Sequence, residues 1–439
     1  MNQMRRFVLT VLMGLACFTA AAALICFVVN PYGVFSGAGT RGFNRDKTQA
    51  IWQPHLAKAY LVEHVEPSTL LIGDSRIELG LNPQSNSWRT EFRPVFNLGV
   101  PGVTLPDQFR YLQHALSHYV PKELIIGSAF EDCFVWSNLR GHEESVTTED
   151  YLSRLKGNSV GQAKYVELKD YMLALLSLDA IVDSIMTVLD QNDPEIPYMA
   201  VDGWQSSHDF HHSFGTEGYH HLVMDKDRMV ANTMVAWATV SECNLEPLQS
   251  ILHLAKSHDI KVSVILTPSY VDEFEIIKQT GLQRAYDTWK RNLVNIVAAA
   301  DNGGDGVRIW DFNRIDAYTT EPLPAPDDRS HALHWFWETK HFKAELGDEI
   351  INTLMDRGPA DFGVRLFPGN IELEIIQDHD RLTAFERTHP ADVNRIASLV
   401  ASIKDTWCAH NRASCSNPVP AAANLGPSVT IQELGTQKF

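Results

Sequence analysis

Residues 7–29 form 23 consecutive positions without a charge. At 1.5 Å per residue a helix of that length reaches about 34 Å, enough to cross a hydrocarbon core of about 30 Å. The run predicts a transmembrane helix over 7–29, in contact with the lipid bilayer. A cleaved signal peptide is the rival, since Ala20-Ala21-Ala22-Ala23 offers small-residue cleavage sites. The apolar run continues to Val29, however, beyond what a signal core needs, so an uncleaved signal anchor is expected. Arg5 and Arg6 keep residues 1–6 in the cytoplasm, making this a single-pass inner-membrane protein with its body outside. Residues 30–60, with Asn30-Pro31-Tyr32-Gly33 and Ser36-Gly37-Ala38-Gly39, read as a flexible juxtamembrane segment. It ends in a helical pattern through Ala50, Leu56, Ala59, Tyr60 and Val62.

Beyond that segment, short apolar runs bounded by turn residues recur: Leu70-Leu71-Ile72, Val95-Phe96, Leu124-Ile125-Ile126, Val262 to Leu266 and Val307 to Trp310. Helical periodicity separates them at 107–119, 248–257, 283–300 and 344–355. Buried strands alternating with helices predict an α/β fold with a mostly parallel sheet and helices on both faces. The body is expected over 61–357, with an insertion at about 135–255 that is too long for one crossover. Its middle, from Asp202 to His221, is rich in His, Gly and Ser and reads as a loop or lid. Residues 358–415 read as a helical extension, amphipathic over 392–407, and 416–439 as a mobile Pro/Ala/Ser tail.

Composition narrows the functional classes. The 439 residues are 44% hydrophobic and 21% charged, which excludes a disordered chain. A net charge of −17, from 54 acids against 37 Lys and Arg, argues against a nucleic-acid partner. Of six cysteines, Cys17 and Cys26 fall in the apolar run. Cys133, Cys243, Cys408 and Cys415 are left where disulfides are permitted; the spacing of Cys408 and Cys415 suits a short loop, but ordinary thiols fit as well. None has metal-site spacing. His208, His211, His212, His220 and His221 invite a metal reading, yet their Gly-rich setting favours a solvated loop, and no metal or other cofactor is expected.

The chemistry concentrates in three blocks. Leu70-Leu71-Ile72-Gly73-Asp74-Ser75-Arg76 sets a serine directly after a buried strand, at the sheet edge where reactive groups gather. Val95-Phe96-Asn97-Leu98-Gly99-Val100-Pro101-Gly102 is a second strand leading into glycines, which let a backbone N–H approach an oxyanion. Trp337-Glu338-Thr339-Lys340-His341-Phe342 precedes a helix, and Glu338 can meet His341 if the loop curls. Asp311, after the strand ending at Trp310, is an alternative acid. Trp335, Phe336, Trp337 and Phe342 serve core packing more readily than sugar stacking.

Together these blocks resemble the SGNH, or GDSL-type, hydrolase superfamily, and in particular its membrane-anchored bacterial branch. The likeness covers about residues 66–357, in three islands. It implies an SGNH-like, flavodoxin-like fold with Ser75 as nucleophile, His341 as base and Glu338 in the family's aspartate position. The backbone N–H groups of Ser75 and Gly102 would be the oxyanion donors. The implied activity is acyl-ester transfer or hydrolysis on a cell-envelope carbohydrate, with a membrane partner that delivers acyl groups. Two departures stand out. Gly80 lies five residues after Ser75 rather than four, and Ser128-Ala129-Phe130-Glu131-Asp132 lacks the Asn that donates to the oxyanion in the family. Losing one such donor costs about 3–4 kcal/mol in the transition state, so slow turnover is expected. A weakly catalytic scaffold that binds envelope glycan or an envelope protein is the alternative.

Overall fold

The apolar runs become strands β1 (Thr69–Gly73), β2 (Val95–Gly99), β3 (Glu123–Ser128), β4 (Lys261–Leu266) and β5 (Val307–Asp311). In the computed structural model, which describes residues 2–37, 39–134, 152–155, 160–206, 208–240, 243–304, 306–411 and 415, they form one sheet in the order 2-1-3-4-5. All four pairings among them are parallel. Every residue of β1 and β2 is buried, so both faces of the sheet are covered and the strands read as unbroken apolar runs. A sixth strand, β6 (Val364–Leu366), pairs antiparallel with β5 at the edge. It comes from the segment expected to be a helical extension, so the sheet does not end at residue 357. Three residues are too few to show a period of two, and only pairing with β5 makes them a strand.

Fourteen α-helices are described: α1 (Asn2–Val29), α2 (Pro54–Leu61), α3 (Ser75–Gly80), α4 (Leu105–Leu116), α5 (Val160–Leu176), α6 (Leu178–Leu189) and α7 (His208–Glu217). They continue with α8 (Tyr219–Val240), α9 (Glu246–Ser257), α10 (Val271–Thr280), α11 (Gln283–Asp301), α12 (Ala344–Leu354), α13 (Ile371–Thr388) and α14 (Pro390–His410). Helix α1 is long and apolar enough to span a membrane. The start of α4 has a capping box, in which the Thr104 N–H and hydroxyl both donate to Asp107 while the Thr104 side chain takes the N–H of Asp107.

Two expectations need correction. The segment from Asp202 to His221 is not a loop or lid over most of its length: it enters α7 and the start of α8. Helix α8 packs against α10 and α14, burying Val223, Val230, Met234 and Trp237. Tertiary burial, rather than propensity, stabilises such a helix, so a His- and Gly-rich composition conceals it. Residues 30–60 are not a loose tether either. Asn30, Tyr32 and Val34 are buried, and Asn44 and Lys47 donate to the last carbonyls of α1, at Val28 and Val29. Ala50, Ala57, Ala59 and Leu61 belong to the main core, so the body begins before residue 61. The tail at 416–439 and the start of the insertion at 135–151 lie outside the described residues.

The four cysteines outside α1 pair as Cys133–Cys243 and Cys408–Cys415. The first closes the neck of the insertion, where the Asn244 N–H also donates to the Cys133 carbonyl at 2.8 Å. A loop spanning 110 positions gains on the order of 4–5 kcal/mol from such a link by the chain-entropy argument.

Candidate active site

Ser75 begins α3 immediately beyond the carboxyl end of β1, and Asp74 caps that helix by accepting the Arg76 N–H at 2.9 Å. Ser75 is half-buried, which leaves its hydroxyl reachable. Far away in sequence, the chain from Trp335 to Lys343 folds into a tight loop closed by Trp337 N–H to His341 carbonyl and Lys343 N–H to Trp335 carbonyl bonds, each 2.8 Å. That curl brings Glu338 and His341 together. The Glu338 carboxylate Oε1 meets His341 Nδ1, and His341 Nε2 lies 2.7 Å from Ser75 Oγ. Serine, imidazole and carboxylate thus lie in one hydrogen-bonded line.

What presses the two segments together is small-residue packing. A side chain at Gly80 would collide with the Phe342 ring, and one at Gly347 with the Gly80 carbonyl, so α3 and α12 approach nearly backbone to backbone. Phe342 fills the space beside the glycine and fixes its neighbour His341. Asn97 secures the other side, donating to the Ile77 and Leu81 carbonyls at 2.7 and 2.8 Å and accepting the Gly99 N–H.

Burial pushes the Glu338 carboxyl up, but the charge of His341, the hydrogen bond to it, Lys226 at 3.7 Å and the Lys340 N–H outweigh that and hold it at about 2. A carboxyl depressed from its ordinary 4.5 contributes stability that is present above about 4.5 and lost as pH falls toward 2. Glu338→Gln should therefore be less stable than the wild type by on the order of 3 kcal/mol at pH 6, and the gap should narrow steadily below pH 4.5. Urea midpoints at pH 6 and pH 3 measure this. A gap that stays constant with pH contradicts it.

Gly102 lies on the loop after β2 with φ +71, a conformation favouring glycine, and is exposed. That loop borders Ser75's strand, since the Val100 N–H donates to the Gly73 carbonyl. The third edge segment behaves differently from a donor loop. Glu131 reaches toward the serine's neighbour Arg76, 2.5 Å away, and also binds Lys340 Nζ. Arg76 is fully buried and pairs with Asp74 at 2.7 Å, with Glu273 4.0 Å away. Burial raises the Glu131 carboxyl, yet Arg76 and then Lys340 hold it well below the usual carboxylate range. Glu273 is pushed up to about 7 by burial and by the charge of Glu131, and Asp132 is raised by burial and by Asp74. Beneath the serine, then, is a network of four carboxyls and two cations.

The charged groups of this network escaped the sequence reading. Arg76, Glu131 and Asp132 do carry a signal, being charges placed at the ends of buried strands. Lys226 carries none, because it is delivered by α8 of the insertion, whose Asp227 accepts the Thr339 hydroxyl at 2.6 Å and pairs with Arg395 of α14. The alternative acid is not at the site. Asp311 pairs with Lys290 at 2.6 Å and takes the Asn313 N–H, and it is the Glu338 carboxylate that His341 meets. Phe336, Trp337 and Phe342 are buried in packing, with Phe210 stacked on Trp337 and 5.7 Å from the His341 ring.

Among the described residues, one cluster is compact enough for a metal: Glu63, His114 and His118, with ligand atoms within 4.8 Å of one another. It precedes β1 and β3 in the chain, at the amino ends of the strands and away from Ser75, and His114 also binds the Ala59 carbonyl. The side chains of His208, His211 and His212 lie outside the described residues, while His220 binds the Pro324 carbonyl. No protein-family model matches this chain, and no curated protein matches it.

Proposed function

We propose that this protein is a membrane-anchored, extracytoplasmic serine acyl-ester transferase or esterase of the SGNH-like type, acting on a cell-envelope carbohydrate. The single observation that carries the reading is the line Ser75 Oγ, His341 Nε2, His341 Nδ1, Glu338 Oε1, with the first step 2.7 Å long. Ser75 Oγ attacks an acyl carbonyl while His341 takes its proton, and Glu338 holds the imidazolium that forms. The imidazolium then protonates the departing alkoxide, leaving the acyl group esterified to Ser75. A sugar hydroxyl or a water, deprotonated by His341, attacks that ester and releases Ser75. The backbone N–H groups of Ser75 and Gly102 are assigned to the developing oxyanion. The anchor is α1, with Arg5 and Arg6 on the cytoplasmic side, and the two disulfides suit an oxidising compartment.

A fluorophosphonate probe on the detergent-solubilised full-length chain tests the nucleophile. Labelling should map to Ser75 and disappear in His341→Ala. A second reading, a glycan-binding scaffold with little catalysis, is favoured by one observation: an acid, Glu131, locked to Arg76 and Lys340 where the family has a donor Asn. An unlabelled wild-type Ser75 supports that scaffold and removes the enzyme.

A further inference from the structure

Helices α5 and α6 of the insertion are built inside out. Ordinary surface helices turn large apolar side chains toward the core and polar ones to water. Here the outward positions are Leu173, Leu176, Leu178 (80% exposed), Val182, Ile185 and Leu189 (71% exposed). The buried positions between 172 and 189 are small or hydroxyl-bearing, Ala174, Ala180, Ser184 and Thr187, the last three wholly buried, with the larger Tyr171 and Ile181 packed partly buried beside them. Between Met172 and Leu189 the one charged side chain that is exposed is Asp179. An outward apolar face of this extent is a surface for apolar surroundings.

Three features say what those surroundings are. Both helices pack directly against α1, whose own inward positions there are the small Ala22 and Cys26, so the apolar face continues the apolar surface of the anchor. A satellite core of Cys26, Tyr32, Leu56, Tyr60, Ala174 and Ala180 ties anchor, α2, α5 and α6 together, apart from the main core. Finally, a cleft of about 440 Å³ opens between the end of α1 and α6, walled by Leu24, Val28, Phe43, Ile185, Val188 and Leu189. The two helices meet at Ser177 with a bend of 62°, and α6, at 12 residues, is only about 18 Å long, too short to cross a membrane.

We infer that α5 and α6 form a V-shaped platform embedded in the outer leaflet beside α1, with lipid acyl chains as the occupant of their exposed face and of the cleft. The inference rests on the reading of α1 as a membrane anchor. The platform would add a second lipid contact beside α1 and so fix the tilt and height of the body over the bilayer. Exposed Lys164 and Lys169, before the apolar stretch, suit the phosphate level of the leaflet.

The test uses the full-length chain in nanodiscs of phosphatidylethanolamine and phosphatidylglycerol, with an apolar diazirine photolabel dissolved in the bilayer and the adducts mapped by mass spectrometry. Adducts should appear over 172–189 at a density within about threefold of 7–29, and at least about tenfold above α9 on the body surface. Adducts on 7–29 with none on 172–189 overturn the platform and leave the anchor standing, and cross-linking between copies through 172–189 would then assign that face to a second chain. No adducts on either segment overturn both the anchor and the platform.

Discussion

On the proposed mechanism Ser75→Ala should abolish acyl transfer and ester hydrolysis, lowering turnover by roughly 10⁴-fold or more, since there the serine forms the covalent intermediate. His341→Ala should do the same, because its Nε2 is the base 2.7 Å from that hydroxyl. Glu338→Ala should leave a measurable remainder. The carboxylate only orients and stabilises the imidazole, and Phe342, packed against Gly80, still positions the neighbouring ring. Asp311 cannot substitute for it, being locked to Lys290. Combining Ser75→Ala with His341→Ala should add almost nothing to either change alone, as expected of groups acting as a unit. The readout is hydrolysis of a small activated ester, alongside a cellular measure of envelope acylation. Full activity in Ser75→Ala would refute the serine mechanism.

Arg76→Met should produce the largest loss of stability. The guanidinium is buried and neutralises Asp74 and Glu131, with Glu273 nearby, so its removal strands carboxyls in a low-dielectric site. Breaking a buried pair in this way costs about 3–5 kcal/mol. The sign of the pH dependence follows from the same groups. Arg76 holds the carboxyls of Glu131, Asp132 and Glu273 down, so without it these three rise, the penalty is greatest above their raised values, and protonation relieves it on acidification. Urea midpoints for the variant should therefore fall furthest behind the wild type at pH 8 and recover toward pH 5. Arg76→Lys should lie between, retaining the charge but not the fork that spans two carboxylates. An Arg76→Met protein with an unchanged midpoint would show that Lys340 alone suffices to neutralise the cluster.

Much of the architecture was legible because it is local. The unbroken apolar runs at Leu70, Leu124 and Val262 can bury only as central parallel strands, and 23 uncharged residues near the amino terminus can only make a long apolar helix. The order Ser75, Gly102, His341 was legible too, each residue standing at a strand end or beside a helix entry. Glu338 and His341 could be paired on spacing, since a three-residue interval closes in a curled loop. Other features depended on contacts between segments far apart in the chain, and there sequence reading failed. Helix α7 and the start of α8 looked like a loop because what anchors them is tertiary, Phe210 and Phe214 packed against the core and Tyr219 buried in it, rather than periodicity. β6 exists only through its pairing with β5, and four equivalent cysteines became two disulfides only when folding brought Cys133 to Cys243. The meeting of Ser75 and His341, 266 residues apart, was decided by the close approach of Gly80 to Phe342 and Gly347. The charge network of Arg76, Glu131 and Lys340 is likewise tertiary: a sequence gives each charge its place in the chain, but burial and the distance to a partner set its ionisation.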